Sequence, residues 1–213
     1  SKNLYSEIKE SGKLDFPMWH KGLLMLYQSQ KTGDELLEEA EIARHAGLEV
    51  SELTAADIRK LEPDALPNVS GGVHYHSDDH LNPSALMKSL IAQLEKSGVK
   101  LIRHCAVDKI RTSGSKAIIL ETEKGPLGFD QLVITAGIWS SKILKQLQTR
   151  IAVQPGKGYS FKVKTSSTIH YPALLSDVNV AVTPFGNGLT QFGGGMELGY
   201  GDLKIRQDRK SVV

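Results

Sequence analysis

A short stretch in the first half of the chain concentrates side chains that could bind a metal ion. They are His74, His76, Asp78, Asp79 and His80. On a strand, His74 and His76 would share one face because side chains alternate, and imidazole and carboxylate groups are ligands for zinc or copper. The same stretch is explained as the loop before a helix that begins at Asn82 and Pro83, with His80 bracing the turn. We favour the loop interpretation and expect no metal.

Nucleophilic catalysis has little support in the sequence. The one cysteine, Cys105, lies in a run with strand character, where a buried thiol is inert. The sequence patterns of a Ser-His-Asp triad, a Walker loop and a metalloprotease are not present. A single cysteine forms no intramolecular disulfide, so we expect a reducing compartment, the cytoplasm.

A run of small and β-branched residues indicates contact with a cofactor. Residues 131–137 have the pattern of a buried strand that ends in Ala136 and Gly137, with Trp139 just beyond. Small residues at the end of a strand let a ligand approach the backbone closely. In open α/β sheets, ligands bind beyond the carboxyl ends of the strands. We therefore expect a nucleotide cofactor to touch the protein here.

Two patterns of secondary structure must position these residues. Between residues 84 and 147, helical and strand-like runs alternate as in an α/β fold with parallel strands. The elements predicted there are helices at 84–97 and 140–147 and strands at 99–107, 117–123 and 131–137. Elsewhere, short β runs separated by turn residues predict an antiparallel sheet. These runs are 19–27, 72–76, 159–163, 178–182 and 189–192, with helices at 31–46 and 55–61.

Composition argues against two classes of partner. The chain of 213 residues has a net charge of +2, with 40% hydrophobic and 23% charged residues, which is ordinary for a globular protein. It contains no run of five or more basic residues, so we expect no nucleic acid. No apolar run approaches the length that spans a bilayer.

An ordered series of short motifs carries a resemblance to a known family. The motifs are Asp79-His-Leu-Asn-Pro83, Val107-Asp-Lys-Ile110, Val133-Ile-Thr-Ala-Gly-Ile-Trp-Ser140, Pro155-Gly-Lys-Gly-Tyr159, Thr183-Pro-Phe-Gly186 and Gly193-Gly-Gly-Met-Glu197. In this order and spacing, the chain resembles the FAD-dependent D-amino acid oxidase superfamily. It is most similar to the bacterial D-amino acid dehydrogenases, with glycine and sarcosine oxidases nearby.

Two parts of the family pattern are not present in this sequence. They are the Gly-x-Gly-x-x-Gly turn near the N-terminus and the C-terminal segment with an arginine for the substrate carboxylate. We therefore expect an internal fragment of a longer protein. The expected fold is mixed α/β (α+β). Residues 1–77 and 148–213 would form a substrate-binding domain built on an antiparallel sheet with helices, and 78–147 part of a Rossmann-like FAD-binding domain.

The resemblance implies four residues that contact the cofactor, FAD. Val107 would meet the adenine through its backbone, Ala136 and Gly137 would form the small turn that the cofactor approaches, and Trp139 would lie beside it. Plain core packing is the alternative for Val107 and Trp139, and for Val107 it has at least equal weight.

Four further residues are implied on the substrate side. Met196 would form an adaptable wall beside the flavin, and Ala181 would enlarge the pocket on the facing strand. Tyr159 and Lys157 lie in the Gly-Lys-Gly-Tyr turn, where Lys157 offers a positive charge to a carboxylate. A core methionine and a solvated lysine are the alternatives for Met196 and Lys157.

The implied reaction is oxidative deamination of a D-amino acid or a glycine-like amine. Hydride would pass from the α-carbon to FAD, and the imino acid would hydrolyse to a keto acid and ammonia. No catalytic side chain from this chain is required. Two alternatives stay open: an isolated substrate-domain module without activity, and a parent enzyme acting on a 2-hydroxy acid or glycerol 3-phosphate. The sequence also leaves open which electron acceptor the parent uses and whether it contacts the inner membrane and a quinone. A homodimer formed through exposed apolar surface is a further possibility.

Overall fold

A computed structural model describes residues 2–65, 67–114, 116–166 and 168–199. The fold is mixed α/β, as the sequence predicts. The helices are α1 (Lys2–Glu10), α2 (Gln30–His45), α3 (Ala55–Leu61), α4 (Pro83–Lys96) and α5 (Ser140–Lys145), with a 3-10 helix at Gly137–Trp139. The strands are β1 (Met18–Trp19), β2 (Leu23–Tyr27), β3 (Val50–Thr54), β4 (Gly71–Tyr75), β5 (His80–Leu81), β6 (Val107–Ser113), β7 (Lys116–Thr122), β8 (Gly125–Gly128), β9 (Gly156–Lys164), β10 (Ala173–Leu175), β11 (Val180–Pro184) and β12 (Leu189–Leu198).

Seven strands form the main sheet, in the order β3-β4-β2-β10-β11-β12-β9. The strands β2 and β10 pair in parallel, and the pairings β3–β4, β4–β2, β10–β11 and β11–β12 are antiparallel. The sheet predicted from residues 19–27, 72–76, 159–163, 178–182 and 189–192 therefore forms, but it is mixed and not antiparallel throughout, because β2 pairs with β10 in parallel. Two smaller sheets accompany it, β1 with β5 and β6-β7-β8.

The two faces of the main sheet bury different helices at one end. Leu24 and Leu26 of β2 pack with Ile58 of α3 on one face. On the other face, Val73 of β4 packs with Leu36 and Ala40 of α2. Alternation along the strands produces this division, because consecutive residues of a strand point to opposite faces.

Local signals explain where the helices begin. Asn82 caps α4 by accepting a hydrogen bond from the Ala85 N–H at 3.1 Å, and Pro83 occupies the first turn, as predicted. Thr54 caps α3 in a capping box with Asp57. Ser29 caps α2 through its hydroxyl.

Three predicted strands differ from the structure. The run 19–27 is divided into β1 and β2 at Gly22, whose φ of +74° is left-handed. A Cβ there would lie 2.4 Å from Nε2 of His74, so the site requires glycine. Residues 99–106 and 131–136 have no strand structure, and the strand near the first of them begins only at Val107. A strand needs a neighbour to bond with, and none of the described strands pairs with either segment.

The chain divides into two compact units. Within the described residues, the first unit contains 2–97 and 158–196, and the second contains 98–157 and 197–199. The helix α4 lies in the first unit, so the boundary between the units falls after Ser97. The boundary predicted from the sequence falls earlier, after residue 77. The assignment of these parts to substrate and FAD domains stays a prediction. None of the helices in the described ranges has the length and apolar character needed to cross a membrane.

A carboxylate in the first unit braces the start of α2. Asp177 accepts hydrogen bonds from the backbone N–H groups of Gln28 at 2.7 Å and Ser29 at 3.2 Å. The Ser29 hydroxyl, and after it the Gln28 N–H, hold the pKa of the Asp177 carboxyl well below its ordinary value. The ionised carboxylate is therefore the form that stabilises the fold.

The substitution Asp177→Asn should lower the free energy of unfolding at neutral pH. Because the folded-state pKa is depressed, the wild-type advantage is fully present above the unfolded-state pKa of about 4 and is lost progressively as pH falls from there through the lower folded-state pKa. Urea unfolding at pH 7, 5 and 3 measures this, with the exposed Asp15→Asn as the matched control. A difference between wild type and Asp177→Asn that stays constant from pH 7 to pH 3 would contradict the assignment.

Candidate functional site

Two of the predicted cofactor residues meet in one pocket of the second unit. Val107, the first residue of β6, and Ala136 line a pocket of about 270 Å³. The other lining residues are Ile110, Leu120, Leu132, Val133, Ile134, Thr135 and Ile143. The lining is almost wholly apolar, so the pocket suits a flat hydrophobic ring.

The other two predicted cofactor residues follow Ala136 directly. Ala136 precedes the 3-10 helix, and Gly137 has a left-handed φ of +55°. No atom would lie within 4 Å of a Cβ on Gly137, so its backbone is open to approach. Trp139 is 63% exposed and does not line the pocket. Trp139 is therefore not packed in the core of the second unit, and its contact with a cofactor stays a prediction.

In the first unit, the strands β11 and β12 place small residues on an open face of the sheet. Ala181 pairs with Gly193 across the two strands, and Ala181 is exposed. A Cβ on Gly193 would lie 3.6 Å from the Cβ of the exposed Ser160 on β9. We call Ala181, Gly193 and Ser160 the small-residue row. The adjacent Val182 is buried and points to the opposite face.

The pairing of β9 with β12 extends this face. Phe161 stacks on Phe192 with ring centroids 5.3 Å apart, and the Thr165 N–H donates to the Gly188 carbonyl at 2.9 Å. Both contacts fit one antiparallel register, the register that sets Ser160 beside Gly193.

Met196 lies near the end of β12 and is 74% exposed. It follows Gly195, whose left-handed φ of +65° interrupts the regular strand geometry. Met196 is therefore not packed in the core of the described residues, and its role beside a substrate stays a prediction.

Tyr159 is not brought together with Ala181. Tyr159 and Phe161 are two residues apart on β9 and share one face. Phe161 stacks on Phe192, which pairs with the buried Val182. That is the face opposite Ala181, so the four predicted substrate residues do not form a single cluster on one face.

Lys157 is engaged in an ion pair that sequence reasoning missed. Its Nζ lies 3.2 Å from the carboxylate of Glu197, and the two side chains are only 13% and 6% exposed. The solvated-lysine alternative is therefore wrong, and the positive charge of Lys157 is balanced inside the second unit. The partner is forty residues away along the chain, and no local pattern in the sequence indicates it.

A larger cavity of about 690 Å³ lies in the first unit, next to the face that carries Val182 and Phe192. Its floor also includes Leu26, Ala173 and Leu175. The buried Glu62 carboxylate lines it and accepts hydrogen bonds from the backbone N–H groups of His170, at 2.9 and 3.0 Å, and Tyr171, at 2.6 Å.

The histidines that suggested a metal ion have other contacts. The His74 ring donates from Nε2 to the Lys21 carbonyl at 2.9 Å, and His76 bonds the Ser51 hydroxyl at 2.7 Å. His80 stacks on Trp19 and donates to the Pro184 carbonyl at 3.1 Å. Burial is the main cause that lowers the pKa of both His74 and His80, which favours their neutral forms. Among the described residues, no group of three metal-binding side chains is assembled.

Comparison with protein families gives a match over residues 1–212. The matching family is DAO, FAD dependent oxidoreductase. The chain belongs to this family. Among curated relatives, D-amino acid dehydrogenase of Granulibacter bethesdensis is 23% identical over 219 aligned positions, which cover 100% of this chain and 52% of the relative. D-amino acid dehydrogenase of Cereibacter sphaeroides is 27% identical over 166 positions, or 76% of this chain and 38% of the relative. The chain thus spans about half the length of the first relative and less of the second.

Solved structures share the fold at low sequence identity. Glycine oxidase from Bacillus cereus superposes with a TM-score of 0.83 at 19% identity, covering 100% of this chain and 58% of that one. Glycine oxidase from Geobacillus kaustophilus also gives 0.83, at 20% identity, covering 97% of this chain and 56% of that one. These likenesses establish the fold of the family, and FAD is the cofactor of the family.

The substitution Lys157→Met should destabilise the protein strongly, because it removes the cation that lies 3.2 Å from the buried Glu197 carboxylate. We expect a loss of about 3 kcal/mol in urea unfolding. The double substitution Lys157→Met/Glu197→Leu removes both charges and should restore much of the lost stability. The control is Lys60→Met, which breaks an exposed pair with Asp57 and should change stability by less than about 1 kcal/mol. Equal effects of Lys157→Met and Lys60→Met would show that the buried pair contributes no more to stability than an exposed pair.

Proposed function

We propose that the protein containing this chain oxidatively deaminates D-amino acids, or glycine-like amines, to keto acids with FAD. The observation that carries the proposal is the open sheet face formed by the small-residue row, with the exposed Met196 on the same strand as Gly193. Family membership supports the cofactor, and the names of the curated relatives support the substrate class.

The pocket lined by Val107 and Ala136 fits part of the cofactor. Its apolar walls suit the adenine ring, and the open backbone at Gly137 suits close approach by the rest of the molecule. Trp139, which is exposed just beyond, offers an aromatic face beside them. On this proposal the second unit belongs to the FAD-binding domain and the first to the substrate-binding domain.

The substrate would lie against the open face of the first unit. The chemistry that bound FAD would supply is acceptance of a hydride from the α-carbon of the substrate. This chain contributes position and exclusion of water. The Ala181 methyl and the hydrogen of Gly193 leave room above the sheet, and the flexible thioether of Met196 adapts to different side chains. No described residue is assigned as a general base, because the amine needs only to be neutral when it reacts.

The proposed function is tested with the full-length protein that contains this chain. Purified enzyme should show flavin absorbance and should reduce a dye acceptor with a panel of D-amino acids or glycine. The panel includes 2-hydroxy acids and glycerol 3-phosphate. Turnover of these alcohols without turnover of any amine would refute amino acid oxidation. A flavin-free but folded full-length protein would refute the cofactor assignment.

The substitution Ala181→Leu should narrow the space above the sheet. In the full-length enzyme, kcat/KM for a bulky D-amino acid should fall by roughly tenfold or more relative to glycine, because the added side chain competes for the same volume. The matched control is Ala46→Leu, at the exposed end of α2. An equal loss of kcat/KM for bulky and small substrates would contradict the placement of Ala181 in the substrate pocket.

A further inference from the structure

A second row of side chains lies beside the small-residue row on the open face. β11 and β12 pair Thr183 with Gln191 in the same ladder that pairs Ala181 with Gly193. Residues two apart on a strand share a face, so Thr183 and Gln191 lie on the face of Ala181. Both are half-buried, and they stand about 7 Å along the strands from the small-residue row.

The strand β9 adds a third member to this row. Ser160 lies beside Gly193, and the register continues through at least Thr165. Two residues beyond Ser160, the same register sets Lys162 beside Gln191 on the open face. Lys162 is exposed, and its Nζ lies 5.3 Å from the centroid of the Phe185 ring. We call Thr183, Gln191 and Lys162 the donor row.

Every member of the donor row can donate a hydrogen bond. The Lys162 ammonium only donates, the Thr183 hydroxyl and the Gln191 carboxamide can donate as well as accept, and the row contains no carboxylate. Within the described part of the chain, the side chains of Thr183 and Gln191 have no hydrogen-bond partner. Their hydrogen-bonding groups are therefore not taken up by other side chains of the described residues. The contact of Lys162 with the Phe185 ring leaves its ammonium hydrogens able to bond an acceptor as well.

We propose that the donor row binds a carboxylate or carboxamide oxygen of the substrate. The inference rests on the proposed function, which places the substrate against the small-residue row. Charge and geometry agree with it: an amino acid lying over Ala181 and Gly193 reaches one cation and two neutral donors on the adjacent row. By contrast, Lys157 is committed to Glu197 and is not needed for this role.

Two groups of the substrate have the required chemistry, its α-carboxylate and an oxygen-bearing side chain. Steady-state kinetics of the full-length FAD enzyme with D-leucine, D-glutamate and D-glutamine distinguish them. The variants are Lys162→Met and Gln191→Leu, which remove the donors but keep much of the side-chain volume. Lys162→Arg restores a cation, and Lys88→Met, on the exposed side of α4, is the control.

We expect Lys162→Met to raise KM about tenfold or more, the effect of losing a hydrogen bond from a charged group, with kcat little changed. Lys162→Arg should recover part of the loss, which a purely structural role would not predict. A rise with all three substrates identifies the α-carboxylate as the bound group. A rise with D-glutamate and D-glutamine alone identifies the side chain.

KM values within about twofold of wild type for every substrate, in both Lys162→Met and Gln191→Leu, would overturn the donor row as a binding site. Retained flavin absorbance and circular dichroism show that each variant is folded. Failure of the wild-type enzyme to oxidise any amino acid is a different result, because it refutes the proposed function itself.

Discussion

The pairing register of β11 with β12 is the constraint on which the candidate substrate site depends. It sets Ala181 beside Gly193 and Val182 beside Phe192, and so decides which residues face the open side. A slip of one residue would exchange the two sets and bring buried side chains to the surface. Burial of Val182 opposes such a slip, because apolar area would be returned to water. The small residues of the open face are thus held in place by the apolar residues behind them.

Much of the fold is predictable from local patterns, because the signals for helix α4 and the antiparallel strands are local. Asn82 and Pro83 mark the start of α4 through capping chemistry that involves only nearby residues. Whether a segment forms a strand depends less on nearby residues. Residues 131–136 have an apolar, β-branched composition, and yet they form no strand among the described residues. Their composition is compatible with a β-strand, but a strand forms only where an adjacent strand is available for hydrogen bonding.

The candidate site shows the same limit. Alternation places Ala181 and Met196 on strands correctly, and their exposure agrees with roles at a surface. The family pattern groups Tyr159 with them, but the sheet sets Tyr159 on the face opposite Ala181. Only a cross-strand contact, such as Phe161 with Phe192, reveals that difference. The sequence shows that side chains alternate along each strand. It does not show which face of one strand aligns with which face of the adjacent strand.

Two lysines of β9 show why burial decides electrostatic function. Lys157 and Lys162 are five residues apart, so alternation turns them to opposite faces. Lys157 is enclosed with Glu197, and its attraction to that carboxylate opposes the unfavourable desolvation of both charges. A ligand carboxylate would have to compete with Glu197 for this cation. Lys162 is exposed on the open face, where its ammonium group can bind an anion without giving up a buried ion-pair partner. Lys157, which the family resemblance implies on the substrate side, is therefore engaged with Glu197, whereas Lys162 of the proposed donor row is exposed on the open face.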